Sequence, residues 1–373
     1  MTSRPTVCFL TGTLNAFAGA ERMTAVIANA LAERGYRVRI LSLWDQASVF
    51  PLHRNIVHDA LFASRPSFKR QYFATVAGIR RFVRQQQIDV LVEVDTMLTL
   101  FTVPATLGMT VRRIAWEHCH FDEDLGRRAR RVARWVAGRF NQAIVVLTQR
   151  DQQVWLARVR PRGRVEVIAN PLPFPFPAAP SPGTEHCVLA VGRLTRAKGF
   201  DVLLQAWSMV APSAPGWVLK IVGEGEDRAA LERMALALNL GDAVTMPGAQ
   251  HRVEDCYRDA AIFCLSSRYE GFGLVLIEAM SFGLGIVSTD CEAGPREILR
   301  HGDNALVSAN GNPQALAEAL KQLIQDEACR RRLGQAARAD AMAYSLDRVV
   351  GQWIDVLAID ADEAGQRSLQ AES

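Results

Sequence analysis

The chain has 373 residues, 49% of them apolar and 22% charged, an ordinary globular composition that excludes a disordered chain and has enough apolar mass for two domains. Its net charge of +4 hides an asymmetry. Residues 1–170 carry 25 Lys+Arg against 13 Asp+Glu, or +12, and residues 171–373 carry 18 against 26, or −8, which points the first half toward an anionic ligand or surface. Seven scattered cysteines, without a C-x-x-C pair, fit a reducing cytoplasm rather than a disulfide framework.

The N-terminal stretch "TVCFLTGTLNAFAGA" could pass for a signal peptide. Its apolar run is short, however, and Gly12, Thr13 and Asn15 break it, so it reads as a buried strand followed by a glycine loop. Further strands are expected at Val38–Leu43, Asp89–Val94, Arg113–Trp116, Ala143–Leu147 and Val165–Ile168. Helical patterns lie between them at Ala20–Arg34, Arg70–Gln86 and Arg127–Phe140. The strands are apolar without alternation, as strands covered on both faces are, and the β–α alternation predicts a doubly wound parallel sheet. The best membrane-span candidate, Val90–Leu107, contains Glu93, Asp95 and Pro104 and is rejected.

The run "NPLPFPFPAAPSPG" over 170–183 holds six prolines and is expected to be a stiff, extended linker. A second alternating series follows, with strands at Cys187–Val191, Val218–Val222, Ala243–Met246, Ile262–Leu265, Gly285–Ser288 and Ala305–Val307. The expected division is therefore 1–170, a linker at 171–183, 184–344, and a C-terminal helix with a polar tail over 345–373. Ligands of such α/β domains bind outside the carboxyl ends of the strands.

Two stretches of the second half carry chemistry. After the first strand comes "GRLTRAKG", where Gly192 and Gly199 flank Arg193, Arg196 and Lys198. Lys occurs only four times in the chain against 39 Arg, so Lys198 stands out from generic surface charge. A strand, a cationic loop and a helix start make a site for phosphate oxygens. The second stretch is "SSRYEGFGLVLIEAM", where Gly271 and Gly273 let a helix N-terminus approach a ligand. Glu270 and Glu278 would repel a phosphate there unless they accept hydrogen bonds from hydroxyls, which sugars supply.

This constellation, Glu270-x7-Glu278 preceded by "GRLTRAKG" and by "NPL" at the domain join, resembles the retaining glycosyltransferases of family 4. The resemblance spans nearly the whole chain and is sharper in the second half. It implies an α/β GT-B fold, two Rossmann-like doubly wound domains facing a cleft that holds a nucleotide-sugar donor, with a UDP-sugar expected. It implies that Arg193 and Lys198 bind the donor diphosphate, with the backbone at Gly271, Phe272, Gly273 and Leu274. Glu278 would meet the ribose hydroxyls and Glu270 the transferred sugar. Gly223, in "VGEGED", and Val253, in "MPGAQHRVEDCY", would line the base pocket. In the first half Gly19 would approach the donor or acceptor, although the adjacent glycines of the family pattern are here Ala18-Gly19. In "WEHCHF" the imidazole that meets donor or acceptor is expected to be His118, with His120 as the alternative. Asp122-Glu123-Asp124 spells a D-x-D, but acids ahead of a helix explain it, and no obligatory metal is expected.

The stretch 126–140 places Ala129, Val132, Ala133, Val136 and Phe140 on one helical face and Arg127, Arg128, Arg130, Arg131 and Arg134 on the rest. It fits either a peripheral contact with an anionic membrane, at the inner face of the cytoplasmic membrane, or an ordinary helix with a solvated basic side. No nucleic-acid motif is present. The leading reading is a transferase that moves a hexose or N-acetylhexosamine to a glycan or lipid-linked acceptor in cell-surface polysaccharide or lipopolysaccharide assembly. The alternatives are a nucleotide-sugar epimerase of the same fold and a non-catalytic nucleotide-sugar-binding subunit.

Overall fold

The computed structural model of the chain describes residues 4–124, 126–250 and 252–358. The tail expected from Asp360, and His251 within the expected base-pocket stretch, lie outside the described residues. Two compact units emerge. The described residues up to Pro173, together with Leu346–Ala358, form the first, and Phe174–Ser345 form the second.

The first unit has strands β1 (Thr6–Thr11), β2 (Arg37–Trp44), β3 (Val57–Phe62), β4 (Val90–Val94), β5 (Arg112–Trp116), β6 (Ala143–Val146) and β7 (Arg164–Val167). They form one parallel sheet in the order β3-β2-β1-β4-β5-β6-β7. Its helices are α1 (Gly19–Glu33), α2 (Tyr72–Gln85), α3 (Thr99–Ala105), α4 (Ala129–Phe140) and α5 (Gln149–Arg158). Sequence patterning did not reveal β3, an edge strand whose residues His58 and Asp59 break the apolar signature.

The second unit has strands β8 (Cys187–Val191), β9 (Val218–Val222), β10 (Val244–Gly248), β11 (Ile262–Leu265), β12 (Tyr269–Glu270), β13 (Gly285–Thr289), β14 (Glu292–Ala293) and β15 (Leu306–Ser308). Six form a sheet ordered β10-β9-β8-β11-β13-β15, while β12 and β14 pair as a small ribbon. Its helices are α6 (Phe200–Val210), α7 (Arg228–Ala237), α8 (Val253–Asp259), α9 (Leu274–Ser281), α10 (Gly294–Ile298), α11 (Pro313–Gln325) and α12 (Glu327–Ala341). Both strand orders reverse direction once, between β1 and β4 and between β8 and β11. Those are the switch points outside which α/β sheets bind ligands.

The last helix, α13 (Leu346–Ala358), follows the second unit in sequence but belongs to the first. Its Trp353 is fully buried and packs edge-on against Trp116 at 4.8 Å and beside Phe9 at 6.4 Å. Arg112 of β5 donates to the Val356 and Leu357 carbonyls at 2.9 Å each, which supplies partners for carbonyls of the last helical turn. The proline-rich run packs on the second unit from Phe174 onward. Phe174 meets Phe282 edge-on at 5.8 Å, and Arg338 donates to the Pro177 carbonyl at 2.5 Å.

Helix α4 turns differently from its sequence expectation. The buried side contains Arg130, Ala133, Arg134, Ala137 and Gly138, while Val132, Trp135 and Phe140 are 46–59% exposed. The cause is electrostatic: Arg130 and Arg134 point inward to buried carboxylates, and a buried carboxylate without such a partner is costly.

Candidate active site

In the second unit the predicted residues lie at the carboxyl edge of the sheet, around the β8/β11 switch point. Arg193 and Lys198 follow β8, Gly223 follows β9, Val253 opens α8, and the segment from Glu270 to Glu278 follows β11. The loops after β8 and β11 are stitched together. Ser266 Oγ donates to the Lys198 carbonyl at 2.9 Å, and the Arg268 amide donates to the Ala197 carbonyl at 2.8 Å. The Arg268 guanidinium clamps Asp201 at 2.8 and 2.7 Å, which holds that carboxyl below its usual range. The backbone carrying Lys198 is thus fixed from two strands.

Lys198 Nζ lies 2.5 Å from Glu270 Oε1, with the lysine side chain 23% and the glutamate 9% exposed. The same Oε1 accepts from Ser267 Oγ at 2.7 Å. Two residues predicted for separate roles therefore meet at one point. Arg193 is far more open, 75% exposed, and lies 3.4 Å from Glu226. Behind it the loops after β8 and β9 run in backbone contact. Gly223 has φ +149, and a Cβ there would come within 1.9 Å of the Gly192 carbonyl oxygen, so only glycine fits.

Helix α9 begins at Leu274, with Gly273 as its N-cap at φ +91. Phe272 is buried edge-on against Tyr344 at 5.7 Å, and Gly271 is half-buried ahead of it. The helix start directs its first backbone N–H groups and the positive end of its dipole outward from this edge. Glu278 lies further along α9, 2% exposed, and its Oε2 accepts from the Tyr257 hydroxyl at 2.8 Å. Tyr257 belongs to α8, which Val253 opens, so one helix joins the expected base-pocket region to the ribose-binding candidate. Tyr257, Ser266 and Ser267 fall within the stretches "MPGAQHRVEDCY" and "SSRYEGFGLVLIEAM" but were given no individual role there.

In the first unit Gly19 is exposed as the first residue of α1, and Ala18 before it is extended with no side-chain cap. His118 follows β5. Its ring lies 4.3 Å from that of Trp116, and its Nε2 is out of solvent without a hydrogen-bond partner. Burial pulls its pKa down to about 4, so the ring is neutral at pH 7. His120 likewise has its Nε2 out of solvent without a hydrogen-bond partner. Its Nδ1 accepts from the Asp122 amide at 3.1 Å, and its Nε2 lies 3.5 Å from buried Asp151. Among the described residues no His/Cys/Asp/Glu cluster could hold a metal ion, and Asp124 of the D-x-D pairs with Arg131 at 2.9 Å.

A buried polar network that the sequence did not reveal underlies this edge. Asp95, just past β4, takes the Arg130 guanidinium at 3.0 and 2.7 Å. Glu117, just past β5, accepts from Arg130 and Arg134 at 3.2 Å each and from Thr96 Oγ1 at 2.6 Å. Glu93 within β4 accepts from Thr99, Thr102 and Asn141.

The family profile described as Glycosyl transferases group 1 matches residues 175–340, and that described as Glycosyltransferase Family 4 matches residues 17–174. A protein of Haemophilus influenzae named as an uncharacterized glycosyltransferase is 31% identical over 339 residues, covering 91% of this chain and 96% of its own. The chain belongs to glycosyltransferase family 4. Another relative of this family 4 glycosyltransferase, from Campylobacter jejuni, is 25% identical over 363 residues, covering 94% of this chain and 98% of its own. It is named GalNAc-alpha-(1->4)-GalNAc-alpha-(1->3)-diNAcBac-PP-undecaprenol alpha-1,4-N-acetyl-D-galactosaminyltransferase. The crystal structure of HepE from Anabaena in complex with UDP and glucose superposes with a TM-score of 0.79 at 18% identity, covering 95% of this chain and 100% of that one. That likeness shows the GT-B fold. Both relatives are named transferases, which gives no support to the epimerase alternative.

Proposed function

We propose that this family 4 glycosyltransferase moves a hexose or N-acetylhexosamine from a UDP-sugar to a glycan or lipid-linked acceptor in cell-surface polysaccharide assembly, with retention of anomeric configuration. The observation that carries the reading is the Lys198–Glu270 pair beside the start of α9, at the switch point of the second sheet. UDP with glucose in the HepE crystal supports a uridine donor, and the undecaprenol in the Campylobacter enzyme's name supports a lipid-linked acceptor.

In this reading a donor diphosphate takes Lys198 from Glu270, and Arg193 with the first amides of α9 meets the remaining phosphate charge. Glu270, released from the lysine but still held by Ser267, accepts a hydrogen bond from a hydroxyl of the transferred sugar. Glu278, fixed by Tyr257, takes ribose hydroxyls, and Gly223 and Val253 border the base. As the glycosidic bond breaks, negative charge grows on the departing diphosphate, where Lys198 and the helix dipole stabilise it. No carboxylate is assigned as a covalent nucleophile of the glycosidase type, and the departing phosphate takes the acceptor's proton on the same face. Neutral His118 contributes a hydrogen bond to donor or acceptor, and Gly19 allows close approach of the loop after β1. A metal is assigned no part, and transfer is expected to persist in chelator.

The first unit also carries the finer assignment of location. Val132, Trp135 and Phe140 stand out from α4 among exposed Arg127, Arg128 and Arg131. This mixed apolar and basic face suits peripheral contact with anionic lipid. Among the described residues no helix is long and apolar enough to cross a membrane.

The test is a screen of nucleotide sugars against lipid-linked acceptors with the purified full chain, read by mass spectrometry. The product's anomeric configuration is then read by NMR. Addition of one sugar residue, retained configuration and loss of product in Lys198→Ala are expected. Turnover unimpaired in Lys198→Ala, or conversion of donor to its epimer without acceptor, overturns the reading.

A further inference from the structure

Asp95 has the most unusual backbone in the first unit. Five non-glycine residues among those described have positive φ. Asp45, Gln87, Arg160 and Asn239 lie at φ 48–63, the ordinary left-handed turn region. Asp95 has φ 122 and ψ 129, a region populated essentially by glycine. Asp95 caps the short helical turn Thr96–Leu98, but capping does not require this conformation, because an aspartate caps a helix from the extended region without strain. The conformation is held from several sides. The Asp95 amide donates to the Glu93 and Trp116 carbonyls at 3.0 and 3.1 Å, its carboxylate takes the Met97 amide at 2.8 Å, and Arg130, itself 3% exposed, grips both carboxylate oxygens.

The strained residue keeps its side chain 33% exposed at a place where ligands bind. It is the first residue past β4, at the β1/β4 switch point, and Leu10 of β1 pairs with Glu93, so the loop carrying Gly12 and Gly19 leaves from beside it. On the other side Val94 pairs with Trp116, so Glu117 and His118 leave β5 alongside. Past the end of the neighbouring strand the chain thus places an imidazole whose Nε2 is out of solvent and without a hydrogen-bond partner. A fixed hydrogen-bond acceptor beside a neutral imidazole nitrogen is the complement of a sugar hydroxyl, which both donates and accepts.

We infer that Asp95 is an acceptor-binding residue: with His118 it takes a hydroxyl of the acceptor glycan, and Arg130 holds it in place. The inference rests on the transferase reading above and names a residue for its acceptor side. The test uses the full chain with saturating UDP and a panel of octyl glycosides of glucose, galactose, N-acetylglucosamine and N-acetylgalactosamine, read by saturation-transfer NMR. Wild type is expected to saturate at least one glycoside. Asp95→Asn and Asp95→Gly are expected to weaken that binding on the order of 10-fold or more, the range for a hydrogen bond to a charged group. Asp95→Gly fits φ 122 without strain, so it removes the carboxylate while sparing the backbone. No saturation of any glycoside by wild type, or equal saturation by wild type and both variants, overturns the inference. UDP binding by calorimetry reports separately on the second unit. Failure of wild type to bind UDP counts against the donor reading and leaves the glycoside result to judge Asp95.

Discussion

The burial of His118 makes stability depend on pH in a way that one substitution should remove. Its pKa is pulled from the ordinary 6.5 to about 4 by desolvation, with Asp95 pulling weakly the other way. Below pH 6.5 the unfolded chain binds a proton at this ring, and the folded chain does not until about pH 4. Protonation therefore favours unfolding. The stability this group contributes is fully present above pH 6.5 and is lost as pH falls toward 4. Applying the linkage relation to these two values gives a loss of about 2 kcal/mol at pH 5 relative to pH 7. His58 shifts the same way through its own burial, so the comparison must be between chains and not between pH values alone. Urea unfolding of wild type and His118→Asn at pH 7 and pH 5 supplies it. The pH-dependent loss in wild type should exceed that in His118→Asn by about 2 kcal/mol. Equal losses in the two proteins would refute the buried, neutral imidazole and with it the hydrogen-bonding role given to His118.

Three further outcomes are expected. Glu270→Gln and Lys198→Ala should each lower kcat steeply, and the double variant should lose much less than the two losses combined, because the side chains meet at 2.5 Å; steady-state kinetics of the four proteins checks this. Arg130→Met should destabilise the chain by about 3–5 kcal/mol, since it strips a partner from both Asp95 and buried Glu117, and chemical denaturation measures it. Vesicles of anionic phospholipid should pellet the full chain at low salt and release it at high salt, with Trp135→Ser together with Arg131→Ser weakening the association, whereas neutral vesicles should leave it in solution.

The α/β class was legible because the central strands are apolar on both faces and punctuated by glycine and proline. The edge strand β3 was not, because half-buried His58 and Asp59 erase the pattern. In the second unit, chemistry and local sequence coincide. Lys198, Glu270 and Glu278 fall within short stretches that announce a phosphate loop and a helix start, so the candidate site could be proposed before any fold was known. The direct contact between Lys198 and Glu270 could not, since 72 residues separate them and only the pairing of β8 with β11 brings them together. The first unit hid more. Asp95 and Glu93 looked like mere interruptions in an apolar stretch, and Arg130 and Arg134 like surface charge. Their roles depend on which way α4 rotates, and that is decided by carboxylates contributed from other strands. Helical periodicity alone ranked Val132 above Arg130 as a core residue and was overruled by ion pairing.

The return of α13 to the first unit governs the order in which a newly made chain can mature. The ribosome must finish the whole second unit before Trp353 emerges to cover Phe9 and Trp116. Until then the leading half of the nascent polypeptide lacks the cover that Trp353 gives Phe9 and Trp116. Residues 174–345 have no such debt and should fold as an independent fragment, whereas a fragment ending at Pro173 should be prone to aggregate.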